Sequence, residues 1–328
     1  MPQTNAINQV GKIKDIADFI AVADMKNTPL STMISKQRKA KLMLFSNQAD
    51  AYDDPDTEGA VDGQDVKEFE DAAKNRGEIF GRLMIFEKTA KVTTAAEAQA
   101  QAGGVAAISS EMARAKAKKA IEFKRKQEKV YLGDQDSRSD NGVKGGLTRG
   151  MGAWISSTPQ GDIPVPEQFR TPAGCIFDDV IANFTEEKLR NLLQARYEEV
   201  GMPSGVLTGI TGTQIKNKVT DFSKFSDNKD GKSNVRFYQT TNLAKYSAMV
   251  DIYEGDYGTV EWHLDNYMPD QYRCEIIDLD FWAQYTLKNP AWKDLPDLGG
   301  GPRALLQGIL GIMCDNPLGQ IKIKARAA

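Results

Sequence analysis

From Gly104 to Leu132 the chain reads GVAAISSEMARAKAKKAIEFKRKQEKVYL, with no interior proline and with Ala, Lys, Arg, Glu and Gln at most positions. Such side chains lose little rotamer freedom in a helix, and Gly133 follows the last apolar residue, where a left-handed C-terminal cap belongs. This pattern predicts one continuous helix over 104–132. At ~1.5 Å per residue it would run on the order of 40 Å, far longer than the usual helix of a compact domain. It reads as a strut. Ile108, Met112 and Ala115 share one stripe, and Ala113, Ala117, Ala120, Ile121 and Tyr131 make a second that drifts around the axis. Most of these side chains are small, so a sheet can pack close. The remaining surface carries Arg114, Lys116, Lys118, Lys119, Lys124, Arg125, Lys126 and Lys129 against Glu111, Glu122 and Glu128, a net of +5. The plain reading of such a run is a solvated helix face.

At 328 residues the chain can form one large domain or two ordinary ones around an ample core. A net charge of −3 argues against a global nucleic-acid binder, and no apolar run approaches the ~20 residues of a membrane span. The opening MPQTNAINQVGKIKD has no apolar signal-peptide core. Cys175, Cys274 and Cys314 are scattered, with no CxxC pair, which fits a reducing compartment and disfavours disulfides or a zinc site. His263 is the single histidine, and that count removes multi-histidine metal sites, HExxH chemistry and most relay triads.

Residues 1 to about 35 hold only short apolar pieces before the breaker Thr28-Pro29-Leu30, so they read as an arm that packs onto something else. The runs KLMLF (Lys41 to Phe45) and EIFGRLMIF (Glu78 to Phe86) look like the two legs of a long hairpin. Between Asp50 and Asp71 lie ten acids and one lysine, a net of −9. This segment cannot bury itself. A structureless loop of that length, on a two-stranded ribbon that is marginal in water, favours ordering by a neighbour. Thr93 to Ala102 is a small-residue lead into the long helix. A Gly-rich loop and the Pro-punctuated IPVPEQFRTP follow that helix, placing a boundary near Thr171. Beyond it Thr185 caps a helix with Leu189, Leu192, Leu193, Tyr197 and Val200 inward and Gly201 at its end. A shorter helix with Ile215, Val219 and Phe222 comes next. VRFYQTT, YSAMVDIY, GTVEWHL, RCEIIDLDFW and QIKIKARA read as strands, with an apolar run from Ala304 to Cys314 before the last of them.

Candidate chemistry is sparse. Gly231-Lys232-Ser233 ends like a phosphate-binding loop, but Ser226 stands where the first glycine belongs; as a calcium loop it has Phe237 at the closing acid position. Asp278 and Asp280 fall on one face of a predicted strand and could hold a divalent ion, though a strand with one wet face explains them as well. Asn183-Phe184-Thr185 matches a glycosylation sequon that carries meaning only in a secreted chain. No nucleophile, base and orienting group come together, so we expect no catalytic residues, no metal and no cofactor, and not an enzyme.

The order of parts is more informative than any motif: apolar-poor arm, acidic ribbon, very long helix, Gly-rich connector, mixed domain. With Thr28-Pro29-Leu30, Glu58-Gly59, Asn75 to Phe80, Glu122-Phe123, Tyr257-Gly258-Thr259-Val260 and Met268-Pro269, it resembles tailed-bacteriophage major capsid proteins, whose fold encapsulin shells share. The resemblance implies an α+β fold with an N-terminal arm (1–35), an extended β-hairpin loop (36–92), a peripheral domain (93–170) with its spine helix (104–132), an axial domain (171–280) and return strands (281–328) that complete the peripheral and axial sheets. It implies a structural protein whose copies form the hexamers and pentamers of an icosahedral virion head, assembled in the host cytoplasm around double-stranded DNA. Portal, scaffolding and decoration proteins are further partners of such a shell, contact with DNA is weak and non-specific, and no membrane is involved. An encapsulin-like compartment is the alternative, and a divalent-metal-dependent enzyme a lesser one. In this fold the extended loop lies across a neighbouring subunit, so opposite charges suggest intersubunit contacts from Asp53, Asp54, Asp56 and Glu58 to the helix surface at Lys116, Lys119, Arg125 and Lys126.

Overall fold

In the computed structural model, residues 24, 26–53, 55, 57, 59, 62–63, 65, 74–102, 110–201, 205–222, 239–240, 243–244 and 251–327 are described. The helices are α1 (Pro29–Met33), α2 (Thr94–Gln101), α3 (Glu111–Tyr131), α4 (Met151–Trp154), α5 (Glu186–Val200) and α6 (Thr213–Phe222). The strands are β1 (Gln37–Lys39), β2 (Leu44–Ala49), β3 (Gly77–Arg82), β4 (Met84–Lys91), β5 (Ile176–Val180), β6 (Val206–Thr211), β7 (Gln239–Thr240), β8 (Leu243–Ala244), β9 (Ile252–Gly255), β10 (Gly258–Leu264), β11 (Arg273–Ile277), β12 (Trp282–Leu295), β13 (Arg303–Cys314) and β14 (Ile321–Arg326).

The long helix starts later than its composition predicts. The Ser110 hydroxyl accepts the Ala113 N–H at 3.2 Å, and Glu97 of α2 accepts both the Ser110 hydroxyl at 2.7 Å and the Met112 N–H at 2.9 Å. Two side chains therefore satisfy the first-turn donors, which sets the start at Glu111 in place of Gly104; residues 103–109 lie outside the described set. The same hydrogen bonds, from Ser110 first, hold the Glu97 carboxyl below its ordinary range. The inward face also differs from the expected second stripe. Met112, Phe123, Gln127, Glu128 and Tyr131 are buried, whereas Ala113, Ala117 and Ile121 face outward, Ile121 with 56% of its surface exposed.

By contact the chain divides into two units, one holding Glu87–Glu122 and Trp292–Leu306, the other Asn27–Phe86, Phe123–Ala291 and Gln307–Ala328. In the first, Ala90, Met112 and Ala304 form a small core with Val92, Ala115 and Trp292 against it. Thr93 caps α2, its hydroxyl accepting the Ala96 N–H at 3.4 Å. Gly301 has φ +102°, and a Cβ there would lie 2.2 Å from the Val92 carbonyl oxygen, so the chain closes this turn only with glycine.

In the second unit a six-stranded sheet runs in the order β5-β14-β11-β6-β10-β9. The β10/β6 and β14/β5 pairs are parallel and the others antiparallel, with Glu261 opposite Thr208 and Ile276 opposite Ile321. Leu189, Leu192 and Leu193 of α5 and Ile215 and Val219 of α6 pack into one core with Leu207, Val260, Trp262, Cys274, Ile276 and Ile323. Thr185 caps α5 by accepting the Lys188 N–H, and Gly201 with φ +73° ends it, both as the sequence suggests. Tyr197 does not turn inward; it is half exposed and tilts against Tyr257 with ring centroids 5.7 Å apart.

Three further readings change. Thr28-Pro29-Leu30 is no breaker: Pro29 opens α1, where its fixed φ suits a first turn and its missing N–H costs nothing. RCEIIDLDFW is not one strand. It stops at Ile277, the Asp278 carboxylate accepts the Asp280 N–H at 3.0 Å, and a 3₁₀ turn from Leu279 to Phe281 leads into β12. Asp278 is buried 3.4 Å from Arg196, while exposed Asp280 pairs with Lys36 at 3.2 Å, so the two carboxylates do not converge on an ion. Most of VRFYQTT and YSAMVDIY, and the loop around Gly231, lie outside the described residues.

The face of the sheet opposite α5 and α6 carries a charge network in which Arg273 and Glu275 are buried and Asp134 is half exposed. Arg273 of β11 pairs with Glu275 and donates to Asp134 at 2.5 Å, and Lys322 of β14 reaches the other oxygen of Asp134 at 2.8 Å. Burial pushes the Glu275 carboxyl above its ordinary range, and Arg273 opposes that shift.

Candidate assembly surface

The extended ribbon is antiparallel, with β2 and β3 in register from Leu44 opposite Arg82 to Ala49 opposite Gly77. Its foot is anchored in the second unit. Phe45 stacks on Tyr285 of β12 at 4.1 Å, and the ring lies where a side chain at Gly81 would be, since a Cβ there would be 2.5 Å away. Beneath the stack, the Tyr285 hydroxyl donates to Asn47 at 2.7 Å and accepts from Arg38 at 2.9 Å, and Arg38 pairs with Asp315 at 2.8 Å. The Tyr285 bond, foremost, raises the Arg38 guanidinium above its ordinary value. Gln168 holds the return leg by donating to the Asn75 carbonyl at 2.8 Å. Stacked aromatic pairs contribute about 0.5–1.5 kcal/mol beyond area burial. Phe45→Ala should therefore weaken the foot by about 1–2 kcal/mol, read as faster amide exchange across 44–49 and 77–82 with the α5 amides unchanged.

Toward its tip the ties among the described residues are polar. Asp53 accepts from Asn75 at 2.6 Å and lies 3.6 Å from Lys74, both on the return leg, and Arg76 pairs with Asp50 at 3.3 Å. Asp54, Asp56 and Glu58 lie outside the described residues. On the helix, Lys116 is already paired with Asp294 at 2.6 Å and sits over Trp292, and Lys119 bonds Glu122 at 2.8 Å, which Lys88 approaches at 3.7 Å. Lys119 foremost holds the Glu122 carboxyl below its ordinary range. Lys126 lies over the Phe86 ring at 6.0 Å, and Arg125 is half-buried. The cations that face outward are different ones: Lys118, Lys124 and Lys129 are exposed and form no close ion pair with a described acid. Composition alone does not separate them from their neighbours; spacing does, once Phe123, Gln127 and Tyr131 mark the buried side.

The fold recurs in solved capsid structures. The capsid of the native GTA particle aligns with 98% of this chain and 98% of its own at a TM-score of 0.65 and 12% identity. The Cyanophage A-1(L) capsid aligns over 99% of each chain at 0.61 and 13% identity, and the capsid of Myoviridae Phage XM1 over 97% of this chain and 100% of its own at 0.53 and 10% identity. The fold is thus that of the tailed-phage capsid proteins, mixed helix and strand along nearly the whole chain. Comparison with curated protein sequences returns no match. A family model described as SU10 major capsid protein matches residues 2–325, and the chain belongs to that family: it is a major capsid protein of the tailed-phage type, a structural component of a viral shell.

Proposed function

We propose that copies of this chain assemble through hexamers and pentamers into an icosahedral head around double-stranded DNA, in the cytoplasm of the host, with no catalytic step of their own. The observation that carries this is the ribbon, anchored at its foot by Phe45, Asn47 and Tyr285 but two-stranded beyond it. An isolated two-stranded ribbon is marginal in water, so packing against a second copy would stabilise it. Residues 1–35 act as arm, 36–92 as extended loop, 93–170 as peripheral domain, 171–280 as axial domain and 281–328 as return strands. Portal, scaffolding and decoration proteins fit the same role, and lysines on the inner surface would meet packaged DNA by non-specific phosphate neutralisation.

The ribbon's net charge of −9 matches the exposed cations Lys118, Lys124 and Lys129 of α3 better than Lys116 and Lys119, which have carboxylates in their own chain. Each exposed pair contributes about 0–1 kcal/mol, so only several together drive association. Screening shortens to ~3 Å at 1 M salt. Assembly followed by light scattering should slow about tenfold or more at ~1 M relative to ~0.05 M salt. The triple variant Lys118→Gln, Lys124→Gln, Lys129→Gln should assemble at the slow rate in both. Equal rates at both salt concentrations for the wild type would sink the electrostatic pairing.

A further inference from the structure

Glu128 stands on α3 among lysines, yet it is fully buried and pairs with none of them. Its two carboxylate oxygens accept the backbone N–H groups of Leu30, at 2.6 Å, and Ser31, at 2.8 Å. Those are first-turn donors of α1, which the helix itself leaves unsatisfied. Leu30 is itself fully buried beside the carboxylate, and Thr32 winds back to the Thr28 carbonyl at 2.9 Å. One side chain of the long helix thus holds the only helical turn described before β1.

Asp265, in the connection after β10, is a second carboxyl at the same place, 4% exposed. One of its oxygens accepts the Tyr267 N–H at 2.7 Å. The other is buried with no hydrogen-bond partner in its present form. The groups that face the pair are the Leu30 and Ser31 amides from α1, the Tyr131 hydroxyl one turn along α3, and the Tyr267 amide; no Lys or Arg among the described residues pairs with either acid. Two carboxylates cannot both stay charged in such a site without a cation.

We propose that Glu128 and Asp265 form a proton-operated latch on the arm: a neutral Asp265 donates its hydrogen to Glu128 and lets that carboxylate hold α1, and loss of the proton to solvent frees the turn. Burial first, and then Glu128, push the Asp265 carboxyl up to about 7 from the ordinary 3.8. The sign follows from linkage. A carboxyl that binds its proton more tightly in the folded chain makes the latched state weaken as pH rises from about 4 to about 7, and the effect is flat beyond. This is opposite to the ordinary ion-paired carboxylate, which loses stability on the acid side. The device belongs to the single chain and does not depend on the assembly contacts proposed above.

Hydrogen–deuterium exchange of the full chain, corrected for the intrinsic rate, tests it through the peptide covering 28–34, with an α5 peptide as reference. Protection of 28–34 should fall about tenfold or more between about pH 5.5 and about pH 8.5, nearly all of it below about pH 7.5, while the reference holds. Asp265→Asn, whose amide donates without titrating, should keep the protection at both pH values, and Glu128→Gln should lower it at both. Protection of 28–34 that is the same at both pH values in the wild type would overturn the latch, and so would an Asp265→Asn variant that keeps the full pH step. Should Asp265→Asn fail to fold, shown by loss of reference protection, the wild-type step and its levelling off above about pH 7 still decide.

Discussion

Arg273→Met destabilises the second unit by about 3–5 kcal/mol, the usual cost of stranding one member of a buried ion pair. Arg273 and Glu275 neighbour each other on one face of β11, both almost wholly shielded from water, at 1% and 0% exposure. Methionine leaves Glu275 beside Asp134 with only Lys322 near, so the carboxyl must take up a proton or hold an uncompensated charge. The loss reads as a lower urea midpoint at unchanged slope. The double variant Arg273→Met, Glu275→Leu should recover most of it, because replacing both partners removes the desolvation cost along with the attraction. A double variant as unstable as the single one would mean that β11 needs the charges for geometry, through Asp134 and the Gly150–Ile155 segment that Lys322 also reaches at the Gly152 carbonyl.

Trp282→Ala costs a similar ~3–5 kcal/mol, for a different reason. The indole is fully buried at the start of β12, and its N–H donates to Gln320 at 3.1 Å, an oxygen that also accepts the Asp278 N–H at 3.0 Å. Alanine opens a cavity and leaves that shared acceptor with one donor fewer. Trp282→Phe keeps most of the volume and loses only the hydrogen bond, worth about 0.5–1.5 kcal/mol. Equal losses for Ala and Phe would show that the hydrogen bond, not the packing, holds this corner.

Where a local pattern decides structure, the sequence was legible. The caps of α5 at Thr185 and Gly201 and the period-two run of β10 are set by neighbours in the chain. The expected ribbon legs hold only in part: Lys41 to Met43 precede β2, and Met84 to Phe86 belong to β4 of another sheet. Where a distant partner decides, it was not. β5 and β6 are short and carry no alternation of their own; they are strands because β14, β10 and β11 offer them edges. Ser110 cuts the long helix because Glu97, thirteen residues back, helps to satisfy its first turn. Glu128 reads as one more surface charge until the arm amides and Asp265 surround it. Lys116 and Lys119 read like Lys118, although Asp294 and Glu122 already hold them. The acidic ribbon was evident as an anomaly, a loop too long and too charged to fold alone. The aromatic foot that fixes it was hidden, because Phe45 and Tyr285 lie far apart in sequence.

The most direct test is to express the chain alone and follow it by sedimentation velocity with negative-stain electron microscopy over a range of concentrations. A self-assembling shell protein gives large species that rise with concentration, seen as rings, shells or tubes. A monodisperse monomer at every concentration, with its ribbon amides nonetheless fully protected from exchange, would contradict the claim that the ribbon and the chain are completed by further copies of themselves.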